Sequence, residues 1–117
     1  MIRFENVSFR AAVKVHDRCV FVGYANATLI VPGACFDGSD LLLRCESIEV
    51  KVMRDGNPRV DFKSVQGSDK NWYPIVSPRS AETRDSITNA LLADRTVMAV
   101  VQSIVEDLDA GRIVLAA

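Results

Sequence analysis

The sequence predicts an α+β domain: an antiparallel β-sheet of about five strands over residues 2–76, followed by one helix or two over residues 80–109. Three observations carry this. Apolar and polar residues alternate through the front of the chain, turn-forming residues divide that stretch into short runs, and after Ser80 the apolar period becomes helical. A length of 117 residues fits a single domain (1–117), with a sheet part at 1–79, a helical part at 80–110 and a short apolar tail at 111–117.

The first strand is read from Ile2, Phe4, Val7 and Phe9, interleaved with Arg3, Glu5, Asn6 and Ser8. Its alternation slips once at Glu5-Asn6, which predicts a bulge. His16-Asp17-Arg18 turns into a second strand, Cys19 to Val31, which Pro32-Gly33 ends. Residues Phe36 to Asp40 form a loop. Leu41 to Met53 carries two phases, first Leu41, Leu43 and Cys45, then Ile48, Val50 and Val52, so a second bulge or kink is expected between Cys45 and Ile48. Arg54-Asp55-Gly56-Asn57-Pro58 is a hairpin turn, since Asp-Gly supplies positive-φ positions. Val60, Phe62 and Val65 are assigned to the returning strand, Gln66 to Asn71 to a polar loop, and Trp72 to Val76 to the last strand. Joined by such turns, the strands make an antiparallel meander.

At Ser77-Pro78-Arg79-Ser80 the chain turns a corner, because proline donates nothing to a ladder and biases the preceding residue towards extended geometry. Ser80 is the expected N-cap, with Glu82 and Asp85 in the first turn and Ile87, Ala90 and Leu91 on one face. Ile87, Leu91, Met98, Val101, Val105 and Leu108 follow helical spacing, with Asp94 at the position that would complete the seam. An unbroken helix from 80 to 109 would be about 45 Å long, whereas a six-residue strand spans only about 20 Å. Either the helix breaks near Asp94-Arg95-Thr96 and folds back, or its second half packs on a partner chain. The mismatch favours the break, with Asp94 or Thr96 as the second N-cap. Gly111 ends the helical region, and Ile113-Val114-Leu115 is a short strand or a tail.

Apolar content of 49% and charged content of 25% are those of a soluble globular chain. There is no apolar run of membrane-spanning length, and the N-terminal MIRFENVSFR lacks the apolar core of a signal peptide. The cysteines, Cys19, Cys35 and Cys45, are odd in number and not closely paired, which points to a reducing, cytoplasmic compartment and to small half-buried residues. His16, the single histidine, falls in a turn without metal-ligand partners. The loop holding Gly33 and Gly38 lacks the Lys-Ser/Thr ending of a phosphate loop. No cofactor, metal or small-molecule substrate is expected, and the chain is read as non-catalytic.

The net charge is −1, which alone gives nucleic-acid binding no support. Its distribution is uneven: residues 1–79 carry a balance of +2 and residues 80–117 a balance of −3. Lys51, Arg54, Arg59 and Lys63 flank the Asp-Gly hairpin, with Lys70 and Arg79 on neighbouring loops. Such a rim suits phosphate contacts, and it equally suits solvated strand edges that discourage aggregation. Arg84 falls about 20° from Leu91 around the helix. Its expected role is structural, with the stem packed on the sheet and the guanidinium hydrogen-bonded to a loop.

The pattern Ile75-x-x-Pro78-x-x-x-Glu82-Thr83-Arg84-x-x-Ile87-x-x-Ala90-x-Leu92 resembles the strand-to-helix corner of the SpoVG (stage V sporulation protein G, septation regulator) family. Met1 to Arg10 resembles that family's first strand, Tyr24 to Leu29 its Ala-rich second strand, and Ser47 to Phe62 its central hairpin. The likeness covers roughly residues 1–93, with an insertion near 31–40. The chain departs from the pattern in having Ser77-Pro78 for a His-Pro pair, Phe62-Lys63-Ser64-Val65 for a more basic segment, and a more apolar 97–115. The resemblance implies a bacterial homodimer joined through strands, regulatory in septation or sporulation, that binds DNA or RNA. On that footing Lys51, Arg54, Arg59, Lys63, Lys70 and Arg79 would contact phosphates, while Pro78, Glu82 and Arg84 hold the corner. One alternative is a protein-interaction module on the same fold, such as a phage or mobile-element accessory protein, that uses residues 97–115 and binds no nucleic acid. Another is a single-stranded-DNA binder of the transcriptional-coactivator type, which shares the strands-then-helix order and would need Trp72, Tyr73 or Phe62 on an open sheet face for bases to stack on.

Overall fold

The computed structural model describes residues 1–74 and 76–115. Strands β1 (Arg3–Val15), β2 (Cys19–Val31), β3 (Leu41–Met53) and β4 (Pro58–Asp61) form one antiparallel sheet in the order β1-β2-β3-β4. Strands β5 (Ser64–Gln66) and β6 (Trp72–Pro74) pair only with each other. Helices α1 (Ala81–Leu92) and α2 (Arg95–Asp109) follow. The α+β class and the helix break are as the sequence predicts, and so are the bounds of the second and third strands.

The single five-strand meander requires correction. Val65 lies in β5 rather than in a strand returning beside β3, Phe62 lies between β4 and β5, and Val76 lies outside β6. Ile75 of the expected last strand falls outside the described residues. The physical reason lies at the outer edge of β4. There the Val60 N–H donates to Thr88 Oγ1 of α1 at 3.2 Å, so a helix takes the edge a fifth strand would need.

Both expected bulges are present. Between Glu5 and Ser8, β1 holds one residue more than β2, and Asn6 adopts φ 53°. Between Cys45 and Ile48, β3 holds the extra residue, and Ser47 adopts φ 54° while its N–H donates to Asn26 Oδ1 at 2.9 Å. Two more register shifts occur, one in β1 between Ala11 and Lys14 and one in β2 between Phe21 and Gly23. At Gly23 an added Cβ would collide with the Arg10 carbonyl oxygen and lie 2.9 Å from Phe9 Cζ, so only glycine fits. The β3–β4 turn is a three-residue loop, with Gly56 alone at positive φ (86°) and the Met53 N–H donating to the Asn57 carbonyl at 2.8 Å.

One face of the sheet is the core. Val20, Val22, Ala25, Ala27 and Leu29 of β2, Cys45, Ile48, Val50 and Val52 of β3, and Val60 of β4 are buried against Ile87, Leu91 and Leu92 of α1 and Val97, Val101 and Ile104 of α2. The seam of α2 thus runs through Val97 and Ile104, one helical position away from the expected Met98 and Val105. Met98 is 41% exposed. Asp94 is not a gap in a heptad but the N-cap of α2, accepting from the N–H groups of Thr96 and Val97 at 3.1 Å. Ser80 caps α1 by accepting from the Thr83 N–H at 3.1 Å. Glu82 lies in that first turn and Asp85 beyond it. Gly111, at φ 73°, follows α2, and Ile113 and Leu115 pack on the core without forming a strand. No helix among the described residues is long and apolar enough to cross a membrane.

Replacing Thr88 by valine leaves the buried Val60 N–H without an acceptor and is expected to cost about 1–3 kcal/mol. Thr88→Ser, which keeps the hydroxyl, is expected to lose less. Urea unfolding of the two variants checks the difference.

Candidate nucleic-acid interface

The two helices cover one face of the sheet and leave the other open. Strand register places Arg3, Ser8, Arg10 and Lys14 of β1 on the open face, opposite Ile30, Asn26, Tyr24 and Phe21 of β2. Arg44, Glu49 and Lys51 of β3 and Arg59 and Asp61 of β4 continue it. Phe21 and Ile30 are buried yet lie outside the core cluster, as expected for residues on this second face.

Asp61 organises the middle of the open face. Lys51 Nζ lies 3.1 Å from Asp61 Oδ2 and 3.5 Å from Glu49 Oε1, and Arg59 Nε lies 3.1 Å from Asp61 Oδ1. Burial alone would pull the Lys51 ammonium's pKa down. The hydrogen bond and charge of Asp61, with Glu49 behind it, outweigh that and raise it above the ordinary lysine value.

The β5–β6 hairpin stands beside this face. It is held by its own loop: Asp69 accepts from the Asn71 backbone and side-chain amides at 3.0 and 3.1 Å and from the Tyr73 hydroxyl. Those donors, Tyr73 foremost, hold the Asp69 carboxyl below its ordinary range. Two adjoining hollows result. One, of about 410 Å³, is lined by Lys51, Arg59, Arg79 and Arg84 together with Glu49, Asp61, Pro78 and the Ser80-Ala81 start of α1. The other, of about 470 Å³, is lined by Arg10, Tyr24, Ser47, Lys63 and Trp72, and it shares Glu49 and Ser64 with the first. Together they form a trough with six cations and two carboxylates. The N-terminus of α1 adds partial positive charge at one end.

The six rim residues expected from sequence are therefore not one cluster. Lys51, Arg59 and Arg79 share the first hollow and Lys63 lies in the second. Arg54 Nη2 donates to the Asp17 carbonyl at 2.9 Å, tying the β3–β4 turn to the β1–β2 turn. Lys70 sits at the far turn of the β5–β6 hairpin at φ 66°. Lys63, Lys70 and Arg79 are exposed and make no ion pair among the described residues. Among the described residues the Arg84 guanidinium makes no hydrogen bond to a loop. Its Nε lies 3.8 Å from Asp85 Oδ1, and the residue forms a wall between the first hollow and a third, of about 640 Å³, beside the β3–β4 turn. There the charges balance, Asp55 and Asp85 against Arg59 and Arg84.

Sequence reasoning missed Arg10 and Tyr24, which the sheet brings opposite each other with the guanidinium carbon 5.6 Å from the ring centroid. The signal was present in the polar phase of the first strand, Arg3, Ser8 and Arg10 after the bulge. Cys45 is buried, and desolvation raises its thiol pKa, which keeps thiolate scarce at neutral pH. Among the described residues no three His, Cys, Asp or Glu side chains come together as a metal site. Comparison with protein-family models, curated proteins and solved structures finds no match for this chain.

Because its folded pKa is raised, Lys51 contributes stability that is fully present below the ordinary value of 10.5 and lost as pH rises through the raised one. In Asp61→Asn the attraction that raises the Lys51 pKa is weakened, so the variant is expected to be less stable near neutral pH and to lose less of its stability across the alkaline range, as read by chemical denaturation of both proteins.

Proposed function

We propose that this chain is a non-catalytic nucleic-acid-binding regulatory protein, of the kind the SpoVG family represents, and that it acts as a homodimer. The observation that carries the reading is the trough. A chain of net charge −1 gathers Arg10, Lys51, Arg59, Lys63, Arg79 and Arg84 around one continuous depression that holds only Glu49 and Asp61 in return. Cations lining a depression between the open sheet face, the β5–β6 hairpin and the start of α1 suit a phosphate backbone laid across it. Lys51 and Arg59, already paired with Asp61, help to set the shape of the floor. Lys63 and Arg79, exposed and unpaired among the described residues, are the principal phosphate ligands, with Arg10 and Arg84 beside them. Arg54 and Lys70, at two separate turns, are outlying contacts.

The dimer reading is supported by β1. This strand has thirteen residues and pairs along one edge with β2, and no described strand covers the other edge. Val13 and Val15, at its far end, are 52% and 50% exposed. A long uncovered edge with apolar residues is a template for a second copy. The apolar residues of 97–108, which a protein-binding module would present, are mostly engaged with the chain's own sheet.

At low salt, binding of labelled DNA or RNA is expected at about micromolar Kd or tighter, falling steeply as salt rises. Replacing Lys63, Arg79 and Arg84 by alanine together should weaken it across sequences and reduce the slope of log K against log salt by roughly three. Fluorescence anisotropy over a salt series measures both, and no binding at low salt would defeat the reading. For the dimer, Val13→Lys is expected to shift the molecular mass measured by light scattering from two chains to one.

A further inference from the structure

We propose that the hollow between the β5–β6 hairpin and the open sheet face is a slot for one unpaired nucleobase, so that the trough prefers single-stranded nucleic acid to duplex. The proposal rests on the nucleic-acid reading above and names the form of ligand that site takes.

Trp72 carries the argument. It is the chain's single tryptophan, and 66% of it is exposed although it lines a hollow. The same hollow is lined by Tyr24, with the Arg10 guanidinium carbon 5.6 Å from its ring centroid. Guanidinium planes and phenol rings both stack on bases, as an indole does. The lining thus combines an arginine–tyrosine pair on paired strands with an indole on a separate hairpin. A flat aromatic ring is the kind of ligand such a lining suits. Lys63, also lining the hollow, supplies the charge that a strand's phosphate needs beside its base. In a duplex the base faces are covered by their neighbours, so a duplex engages the cations and leaves the slot empty. An unpaired base engages both.

The test uses the purified 117-residue chain and a mixed-sequence oligonucleotide as single-stranded DNA, as single-stranded RNA and as the corresponding DNA duplex, at low salt. Both single strands are expected to bind more tightly than the duplex and to quench the Trp72 emission, whereas the duplex leaves it unchanged. The DNA and RNA arms tell whether the sugar matters to the slot. Trp72→Ala, with folding checked by circular dichroism, is expected to weaken single-strand binding by roughly 5- to 150-fold, the loss of one stacked base, and to leave duplex binding as it was. Trp72→Phe is expected to recover part of the loss. Equal binding of single strand and duplex, with the Trp72 emission unmoved, would overturn the slot and leave the phosphate trough standing. Absence of binding in all three arms would overturn both.

Discussion

A sheet has two faces, and this chain has helix enough to cover only one. That constraint orders the rest of the molecule. The sheet's thirteen-residue strands are about as long as a straight helix over 80–109 would be, so strand length does not force the break. The break at Ala93-Asp94 folds the segment so that α1 and α2 share the same face. The fold-back is capped, because Asp94 takes the first N–H groups of α2 and the Ala93 N–H donates back to the Asn89 carbonyl. Ile87, Leu91, Val97, Val101 and Ile104 then close over the valines of β2 and β3. Thr88, from the same helix, finishes the edge of β4 by accepting from Val60. With one face and one edge taken, water is left to the other face. Its composition follows: arginine, lysine, serine and threonine, with Phe21 and Ile30 sheltered by their long neighbours.

Faces persist along a strand only while the two-residue period holds, and here it is reset repeatedly. Asn6 and Ser47 bear positive φ without being glycine, a conformation that favours asparagine and turn residues and disfavours bulky ones. Each reset returns the next apolar residues to the core. The Asn6 bulge puts Val7 and Phe9 inward after Phe4, and so sends Ser8 and Arg10 outward. The Ser47 bulge does the same for Ile48 and Val50, and so sends Glu49 and Lys51 outward. The trough is therefore a product of the bulges. Without them Arg10 and Lys51 would be aimed at the helices, where an unpaired charge is costly.

Local rules made much of the fold legible. The limits of β2 and β3, both bulges, the Ser80 cap and the helix break each follow from a pattern within a few residues. The separate β5–β6 hairpin was not legible, because Val65 and Trp72 look like core strand residues. The sheet ends at β4, where Thr88, 28 positions on in α1, accepts from the Val60 N–H. The site was less legible still. Six rim cations could be named by their turns, but neither the Asp61 clamp on Lys51 and Arg59 nor the meeting of Arg10 with Tyr24 is visible until strands are in register. Seam and period also differ by one position in α2: spacing chose Met98, and packing chose Val97.

The two parts of the hollow's lining differ in how they are held. Tyr24 and Arg10 stand on a ladder of paired strands backed by the core. Trp72 stands on a hairpin whose six strand residues are all exposed, tied chiefly by its own Asp69 loop. Segments with so little burial open at low free energy while the core beneath them stays closed. The indole can therefore shift against a fixed arginine–tyrosine pair without disturbing the sheet. A slot with one rigid and one compliant part accommodates rings of different size, and it discriminates by flatness and exposure rather than by a fixed outline. Asp61 contributes from below, since by holding Lys51 and Arg59 to the floor it keeps two cations from closing over the depression. Lys63 and Arg79 are left exposed at the rim, without an ion pair among the described residues.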